Sequence, residues 1–179
     1  MDKATSNAAV DELCWQACFD TLTELANRRH FQSLGEAEFL RSQLCDCDLA
    51  LILLDVDHFH RVHDSYGHGC GDEVLAQTAA CLRQNLRCQD VIGRWGGEEF
   101  ALLLPETDVA GALVLAEKVR TLVADHTFHY EDVSFKVTIS LGVAVCGTQH
   151  EEFADLIASS GKQLRRAKRL GGNRVCLGE

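Results

Sequence analysis

The chain has 179 residues, of which 46% are hydrophobic and 25% charged, so it can bury the core of one ordinary domain and lacks the composition of a disordered chain. Its formal net charge of −10 argues against a surface that neutralises a nucleic-acid polymer or an anionic membrane. No apolar run approaches the length of about 18 residues that a membrane span needs, so we expect no membrane contact by this segment. A single nucleotide is compatible with this charge, because it needs only a local cationic spot.

Nine cysteines are scattered along the chain without a CxxC-type pair, the spacing that a zinc site needs. Several occupy apolar positions of predicted helices or strands, where cysteine packs as a small hydrophobe. Because we find no secretory signal, we expect reduced thiols in a cytoplasmic domain.

The beginning of the chain differs in character from the rest. Residues 1–19 are polar and then weakly helical, which predicts a linker or the remnant of a signalling helix. The predicted domain therefore covers residues 20–179. It opens with a turn and a helix that we expect to place three apolar residues on one face: Phe31, Leu34 and Leu40.

The middle of the chain predicts one helix and three strands. The apolar run over residues 49–57 is too short for a helix and ends in acid, which is typical of a buried central strand. Residues 72–87 predict a helix with one apolar stripe: Leu75, Ala79, Leu82 and Leu86. The segments VIGRW, GGEE and FALLLP predict a β-hairpin over residues 91–105.

The last third predicts two helices and two strands. Thr107 or Asp108 can cap a helix with six apolar positions: Val109, Ala112, Leu113, Ala116, Val119 and Val123. Alternation over residues 134–145 predicts one half-buried strand with four residues on one side: Phe135, Val137, Ile139 and Leu141. An amphipathic helix with a basic end follows, carrying Phe153, Leu156, Ile157 and Leu164, and the segment RVCL closes the chain as a strand. This order predicts an α/β sandwich around one mostly antiparallel sheet.

The stretch from Asp55 to Glu73 holds four histidines and five carboxylates, which leaves two interpretations: a transition-metal site, or a nucleotide and magnesium site. Asp55 and Asp57 end the central strand, and Glu98 and Glu99 lie in the hairpin turn. If the hairpin pairs with the central strand, these carboxylates converge at one end of the sheet. Mg²⁺ held partly by substrate phosphates suits such a cluster. The neighbouring Gly96 and Gly97 remove side chains where a nucleotide must approach the backbone.

Four segments resemble one family. RWGGEEF resembles the signature of the GGDEF family, the diguanylate cyclases, in its GGEEF form. DTLTELANRRHF resembles the family's opening, LLDVDHFHRVHDSYGHGCGDEVL its central segment and AKRLGGNRV its close, and together these cover residues 20–175 in the family's order. The resemblance implies an α/β (α+β) fold: a ferredoxin-like palm with a central five-stranded, mostly antiparallel sheet flanked by helices, as in nucleotidyl cyclases. It also implies that a homodimer of domains condenses two GTP molecules into cyclic di-GMP, releasing two pyrophosphates, with Mg²⁺ or Mn²⁺ as cofactor.

The resemblance also implies roles for single residues. Asp55, Glu98 and Glu99 match the catalytic carboxylates, which bind metal together with the backbone carbonyl of Val56. Asp72 matches the residue that accepts hydrogen bonds from the guanine edge. In the substrate site, Gly96 and Gly97 match the turn against the nucleotide, and Lys168 matches a phosphate-binding lysine.

Three substrate positions depart from the family pattern. His60 replaces a phosphate-binding lysine, His63 replaces a guanine-reading asparagine, and Gly172 replaces a phosphate-binding arginine. Losing two charge-assisted contacts would weaken triphosphate binding by about a hundredfold to several thousandfold. Compensation is expected from His60 as a hydrogen-bond donor and from Arg169 or Arg174.

A further family feature is the RxxD motif that Arg87 and Asp90 form nine residues before Gly96, at the offset of the family's inhibitory site for cyclic di-GMP. The alternative interpretation is a surface salt bridge at a helix end, which stabilises little. We favour the inhibitory site and therefore expect product inhibition.

Three functions stay open at this stage. The first is an active cyclase driven by an upstream sensor domain. The second is a catalytically weak or inactive module that binds GTP or cyclic di-GMP and regulates an attached domain. The third is a cyclase with relaxed base choice, because His63 replaces one base reader, although Asp72 opposes it. A zinc site from all four histidines is disfavoured, because His68 belongs to the family's YGH segment and His58 lies at a variable position.

Overall fold

The computed structural model describes residues 15–178, so most of the predicted linker over residues 1–19 lies outside the described residues. Within that part the named elements follow in this order: β1 (Ala26–Asn27), α1 (Arg28–Cys45), β2 (Leu49–Val56), α2 (Phe59–Tyr66), α3 (His68–Arg83), β3 (Val91–Arg94), β4 (Glu99–Pro105), α4 (Val109–Asp125), β5 (Phe128–Tyr130), β6 (Val133–Phe135), β7 (Ile139–Val145), α5 (Phe153–Arg169) and β8 (Val175–Leu177).

The main sheet has the strand order β1-β3-β4-β2-β7-β8. Its three inner pairings, β3 with β4, β4 with β2 and β2 with β7, are antiparallel, and the two edge pairings are parallel. Because β1 is only two residues long, the sheet consists of five strands and a short extra edge. The predicted fold class, a mostly antiparallel sheet flanked by helices, is confirmed.

Strand β2 is buried along its whole length because helices cover both faces of the sheet. Successive side chains of a strand point to opposite faces. Leu51 and Leu53 therefore belong to the core formed with α1 and α5, whereas Ile52 and Leu54 belong to the core formed with α3 and α4. This alternation places Asp55, one step beyond Leu54, on the α1 and α5 face.

The strand predicted over residues 134–145 is wrong in its extent. Val133–Phe135 pairs with β5 in a separate two-stranded sheet, and β7 begins only at Ile139. The period-two alternation continues through the connecting residues and so hides the break. Strand β7 is also buried on both faces rather than half-buried, because it lies next to β2 inside the sheet.

Two helix predictions need correction as well. In α1, Leu40 is 61% exposed, and Phe39 takes its place in the core against Phe153. The helix predicted over residues 72–87 runs from His68 to Arg83, so Leu86 lies beyond its end. The separate helix α2 was not predicted, since its eight residues span only two turns. At α4 the cap is Asp108, whose side chain accepts a hydrogen bond from Gly111 N at 2.8 Å.

Among the described residues, no helix combines the length and apolar character needed to cross a membrane. The eight cysteines in the same part of the chain are free thiols.

Candidate functional site

The hairpin of β3 and β4 brings two carboxylates, Glu98 and Glu99, next to Asp55 at the end of β2. Asp55 is the direct partner of Glu99 in the antiparallel register of β2 and β4. The amide of Val56 donates a hydrogen bond to Glu98 O at 3.2 Å, and the amide of Trp95 donates to Glu99 O at 2.8 Å, which closes the hairpin. The predicted convergence of Asp55, Glu98 and Glu99 follows from this register.

Asp55 is electrostatically strained. It is 7% exposed, and burial raises the pKa of its carboxyl to about 6, with the charges of Glu98 and Glu99 acting in the same direction. Lys168 opposes this rise through an ion pair of its ammonium with Asp55 Oδ1, although the contact lacks good hydrogen-bond geometry. Like charges opposite each other on two strands are destabilising, so the arrangement calls for a cation.

The donor set fits a hard divalent cation. Among the described residues, no group of three or more His, Cys, Asp or Glu side chains is placed to hold a metal ion by itself. Mg²⁺ commonly takes one or two carboxylates and completes its shell with water and substrate phosphates, so Asp55 and Glu98 with the Val56 carbonyl are a suitable partial set. Their role as ligands, and that of Glu99, stays a prediction.

Asp57 has a structural role at the end of β2. Its carboxylate accepts hydrogen bonds from the hydroxyl of Thr138 at 2.7 Å, the hydroxyl of Ser140 at 2.6 Å and the amide of Asn173 at 2.8 Å. Asp57 therefore ties β2 to β7 and to the loop before β8. The sequence suggested convergence with the hairpin carboxylates but did not reveal these partners.

Lys168 separates two cavities at this end of the sheet. The first, of about 420 Å³, is lined by Asp57, His58, His60, Glu98, Lys168, Gly171 and Gly172. The second, of about 320 Å³, lies towards α1 and α5 and includes Asp55, Trp95, Glu99, Arg165 and Lys168. The predicted substrate residue His60 thus lines the first cavity, and Lys168, the predicted phosphate-binding lysine, lines it as well.

His63 and Asp72 lie on neighbouring helices. The His63 ring packs edge-on against Phe59, with ring centroids 4.5 Å apart, and against His68 at 4.7 Å. Gly71 makes room for the His63 ring in this position, because a Cβ there would lie 2.0 Å from His63 Nε2. Asp72, the next residue of α3, is exposed, so its carboxylate is accessible to a ligand.

The two glycines of the turn differ in their surroundings. A Cβ on Gly96 would lie 2.6 Å from Glu99 Oε2, so this glycine makes room for the carboxylate of Glu99. A Cβ on Gly97 would meet nothing within 4 Å. Only Gly97 therefore leaves free space of the kind that a nucleotide needs.

Gly172 lies in a loop whose conformation suits glycine. Its φ is +73°, and a Cβ would lie 2.9 Å from Asp57 Oδ1. Arg174, one of the expected compensating cations, donates from its Nε to Gly172 O at 3.0 Å. The other, Arg169, lines a different cavity on the opposite side of α5.

Sequence reasoning missed three contacts around the turn. Arg94 Nη1 pairs with both carboxylate oxygens of Asp20 at 3.1 Å, and Arg94 Nη2 donates to Gly97 O at 2.8 Å. The Arg28 guanidinium lies over the Trp95 ring, 4.5 Å from its centroid. Asp20 and Arg94 both belong to the segments with family resemblance, but sequence alone gave no reason to pair them.

The predicted inhibitory residues lie in a separate cavity of about 390 Å³ between the end of α3 and α4. The amide of Arg87 donates to Asp90 Oδ2 at 2.8 Å, so Asp90 closes the local turn. Asp90 Oδ1 is buried and has no hydrogen-bond partner within the described part of the chain. Within residues 15–178, no ion pair joins the side chains of Arg87 and Asp90, so the alternative salt bridge is not formed.

The family model described as the diguanylate cyclase GGDEF domain matches residues 17–174, which is most of the chain. The chain belongs to the GGDEF domain family. Diguanylate cyclase DgcM of Escherichia coli K12 is 39% identical to this domain over 165 residues, which cover 92% of the chain and 39% of DgcM. These residues include the hairpin turn and the end of β2.

Two solved structures share the fold. The GGDEF domain of DgcB from Caulobacter crescentus, crystallised with c-di-GMP, superposes with a TM-score of 0.87 at 28% identity and covers 91% of this chain and 94% of that one. The active GGEEF domain of a diguanylate cyclase from Vibrio cholerae has a TM-score of 0.82 at 34% identity, and the match covers 87% of this chain and 98% of that one.

The chain spans less than half of the curated relatives that it matches, between 24% and 46% of their lengths for the first three. Those relatives therefore contain additional segments that this domain does not match.

Proposed function

We propose that this GGDEF domain condenses two GTP molecules into cyclic di-GMP and releases two pyrophosphates. The observation that carries the proposal is the convergence of Asp55, Glu98 and Glu99 at the end of β2, opposite Lys168, in a domain of this family. A related protein, DgcM, is named as a diguanylate cyclase, which supports the same reaction here.

Asp55 and Glu98, with the Val56 carbonyl and Glu99 beside them, hold Mg²⁺ or Mn²⁺. The bound ion supplies charge stabilisation for phosphates during displacement at phosphorus. A cation held by these residues would neutralise the buried charge of Asp55, which Lys168 balances without a metal. Lys168 would then be available for the phosphates, because it faces the cavity that contains His60.

Base recognition comes from the neighbouring helices. Asp72 accepts hydrogen bonds from guanine N1–H and the 2-amino group, a pair of donors that adenine lacks. His63, packed between Phe59 and His68, offers a ring nitrogen in place of an amide. Selectivity for GTP therefore depends mainly on Asp72, and relaxed base choice is the weakest of the three functions.

Two active sites must face each other, because each domain holds one GTP and the product has two new phosphodiester bonds. We propose a homodimer of domains in the cytoplasm, driven by an upstream sensor joined through the segment over residues 1–19, with residues 20–179 as the catalytic domain. Cyclic di-GMP inhibits the enzyme by binding Arg87 and Asp90, where the unpaired Asp90 Oδ1 can accept a hydrogen bond from guanine.

A second candidate is a non-catalytic module that binds GTP or cyclic di-GMP and regulates an attached domain. It is favoured by the composition of the first cavity, where Lys168 is the one lysine or arginine among the lining residues and is engaged with Asp55. Weak triphosphate binding is the consequence that this candidate predicts.

The deciding experiment measures cyclic di-GMP formed from GTP and Mg²⁺ by the domain at high concentration, using chromatography with mass detection. Three proteins are compared: the unchanged domain, Glu98→Ala, and the control Glu36→Ala, which removes an exposed glutamate of α1. Product from the unchanged domain and the control, with loss in Glu98→Ala, supports the cyclase. Absence of product from all three, with cyclic di-GMP still binding, refutes it in favour of the regulatory module.

A further inference from the structure

A second row of cations runs along α5, on a different flank from the active site. Lys162, Arg166 and Arg169 follow each other at spacings of four and three residues and therefore share one face of the helix. Arg165 and Lys168 follow the neighbouring row, which faces Asp55. The two rows point into different cavities, so the helix separates them.

The second row lines a cavity of about 420 Å³, which we name the Lys162 cavity. Its lining includes the three cations together with Ser159, Gln163 and Leu177. This volume lies within the range of about 300–1,000 Å³ typical of small-molecule sites. Leu177 is the one aliphatic side chain in the lining, so the cavity is shaped for a charged ligand rather than for an apolar one.

The three cations have no acidic partner. Within residues 15–178, neither Lys162, Arg166 nor Arg169 forms an ion pair with a carboxylate, although the chain carries ten more acidic than basic groups. The helix dipole accounts for cations in the last turn of α5, where Arg166 and Arg169 lie. It does not account for Lys162, which lies in the middle of the helix, since the dipole effect falls off within the last turn.

A buried polar side chain adjoins the cations. Gln163 is 7% exposed, and its Oε1 has no hydrogen-bond partner among the described residues. Buried polar atoms are paired in the large majority of cases, so the unpaired Oε1 is a local defect of the packing behind the cations. Because Oε1 is an acceptor, it does not bind a phosphate oxygen, so a phosphate ligand in this cavity would be held by the three cations.

We propose that the Lys162 cavity binds a small compound that carries two or more adjacent phosphate groups. Three positive charges on one helical face match a chain of phosphates, and guanidinium groups bind phosphate oxygens in a bidentate manner. An acidic peptide fits less well, because the cavity offers little apolar surface for its side chains. The site is separate from the proposed GTP site and stands whether or not the domain is a cyclase.

The test uses inorganic triphosphate as the probe, measured by isothermal titration calorimetry in buffer with EDTA so that no metal mediates binding. All proteins carry Lys168→Gln, which removes the active-site lysine. The test variant adds Lys162→Gln and Arg166→Gln. The control adds Arg41→Gln and Lys136→Gln, which lower the net charge by the same amount at residues that line none of the cavities described above.

We expect the test variant to bind triphosphate at least about tenfold more weakly than the Lys168→Gln protein, and the control to bind about as tightly as that protein. Equal weakening in both would show a general effect of charge and overturn the site, as would absence of binding to the Lys168→Gln protein. Circular dichroism must show the same fold for all of them. Repeating the titration with adenosine triphosphate identifies the ligand class: tighter binding indicates a nucleotide, and equal binding indicates the phosphate chain alone.

Discussion

The substitution Asp55→Asn tests whether the proposed metal site is held in a strained state. Asparagine has the same shape as aspartate but no charge. Burial raises the pKa of Asp55 from its ordinary value of 3.8 to about 6, so ionising it in the folded protein is unfavourable. One pKa unit corresponds to about 1.4 kcal/mol, so the penalty at neutral pH is about 3 kcal/mol at most.

We therefore expect Asp55→Asn to raise the free energy of unfolding by about 1–3 kcal/mol in metal-free buffer at pH 7.5, which for a domain of this size raises Tm by roughly 2–4 °C per kcal/mol. Lys168 loses its partner, but its side chain is 36% exposed and can be solvated. The direction in which wild-type stability changes with pH follows from the raised pKa of Asp55. The folded state binds the Asp55 proton more tightly than the unfolded state, so wild-type stability falls as pH rises from about 4 to above 6.

The measurement is urea unfolding followed by circular dichroism, in EDTA, for both proteins at several pH values. The difference in free energy of unfolding between Asp55→Asn and the wild type should be near zero at pH 4 and should reach its full value at pH 7.5. The matched control is Asp57→Asn, two residues along the chain, whose carboxylate accepts three hydrogen bonds. In the Asp57→Asn variant the free energy of unfolding should fall by about 1–3 kcal/mol, because an amide cannot accept all three hydrogen bonds. A lower or unchanged stability of Asp55→Asn at pH 7.5, or a gain that is independent of pH, would refute the reasoning.

Three further predictions follow from contacts around the sheet. Gly142→Ala should destabilise the domain by about 1–3 kcal/mol in urea unfolding, because its Cβ would lie 2.1 Å from a backbone oxygen of α5; unchanged stability would show that the helix can shift freely. Arg94→Lys cannot keep the contacts with both Asp20 and Gly97, so product formation should fall about tenfold or more while the far-ultraviolet spectrum stays the same; full activity would exclude a role in placing the turn. Arg87→Ala should abolish inhibition by added cyclic di-GMP without changing the initial rate, and retained inhibition would contradict the proposed product site.

The central part of the site could be predicted from the sequence because it depends on strong local signals. The apolar run ending at Asp55 predicts a buried strand, and the glycine turn before Glu98 predicts a hairpin. Placing the hairpin beside that strand suffices to bring Asp55 and Glu99 together, as the register shows. The direction of each side chain then follows from the two-residue period of the strand.

The short and irregular elements could not be predicted in the same way. Strand β1 has two residues and β5 has three, too few for any period to be visible. The choice of Phe39 over Leu40 in the core of α1 depends on the position of Phe153, which lies more than a hundred residues away in sequence. The hydrogen bonds of Asp57 likewise depend on β7 and on the loop before β8, and so belong to the tertiary structure.

The conformation at Gly172 explains why glycine stands where the family pattern has a phosphate-binding arginine. With φ at +73° and a Cβ only 2.9 Å from the Asp57 carboxylate, an arginine at position 172 would have to adopt an unfavourable backbone conformation or displace that carboxylate. The loop is therefore built for glycine, and the phosphate contacts must come from elsewhere. We expect helix α5 to supply them, because Lys168 borders both cavities of the site and Arg165 lines the cavity of Asp55. Arg165 lines the cavity of Asp55, so we expect the cations for the triphosphate to come from a rigid helix rather than from the loop that follows it.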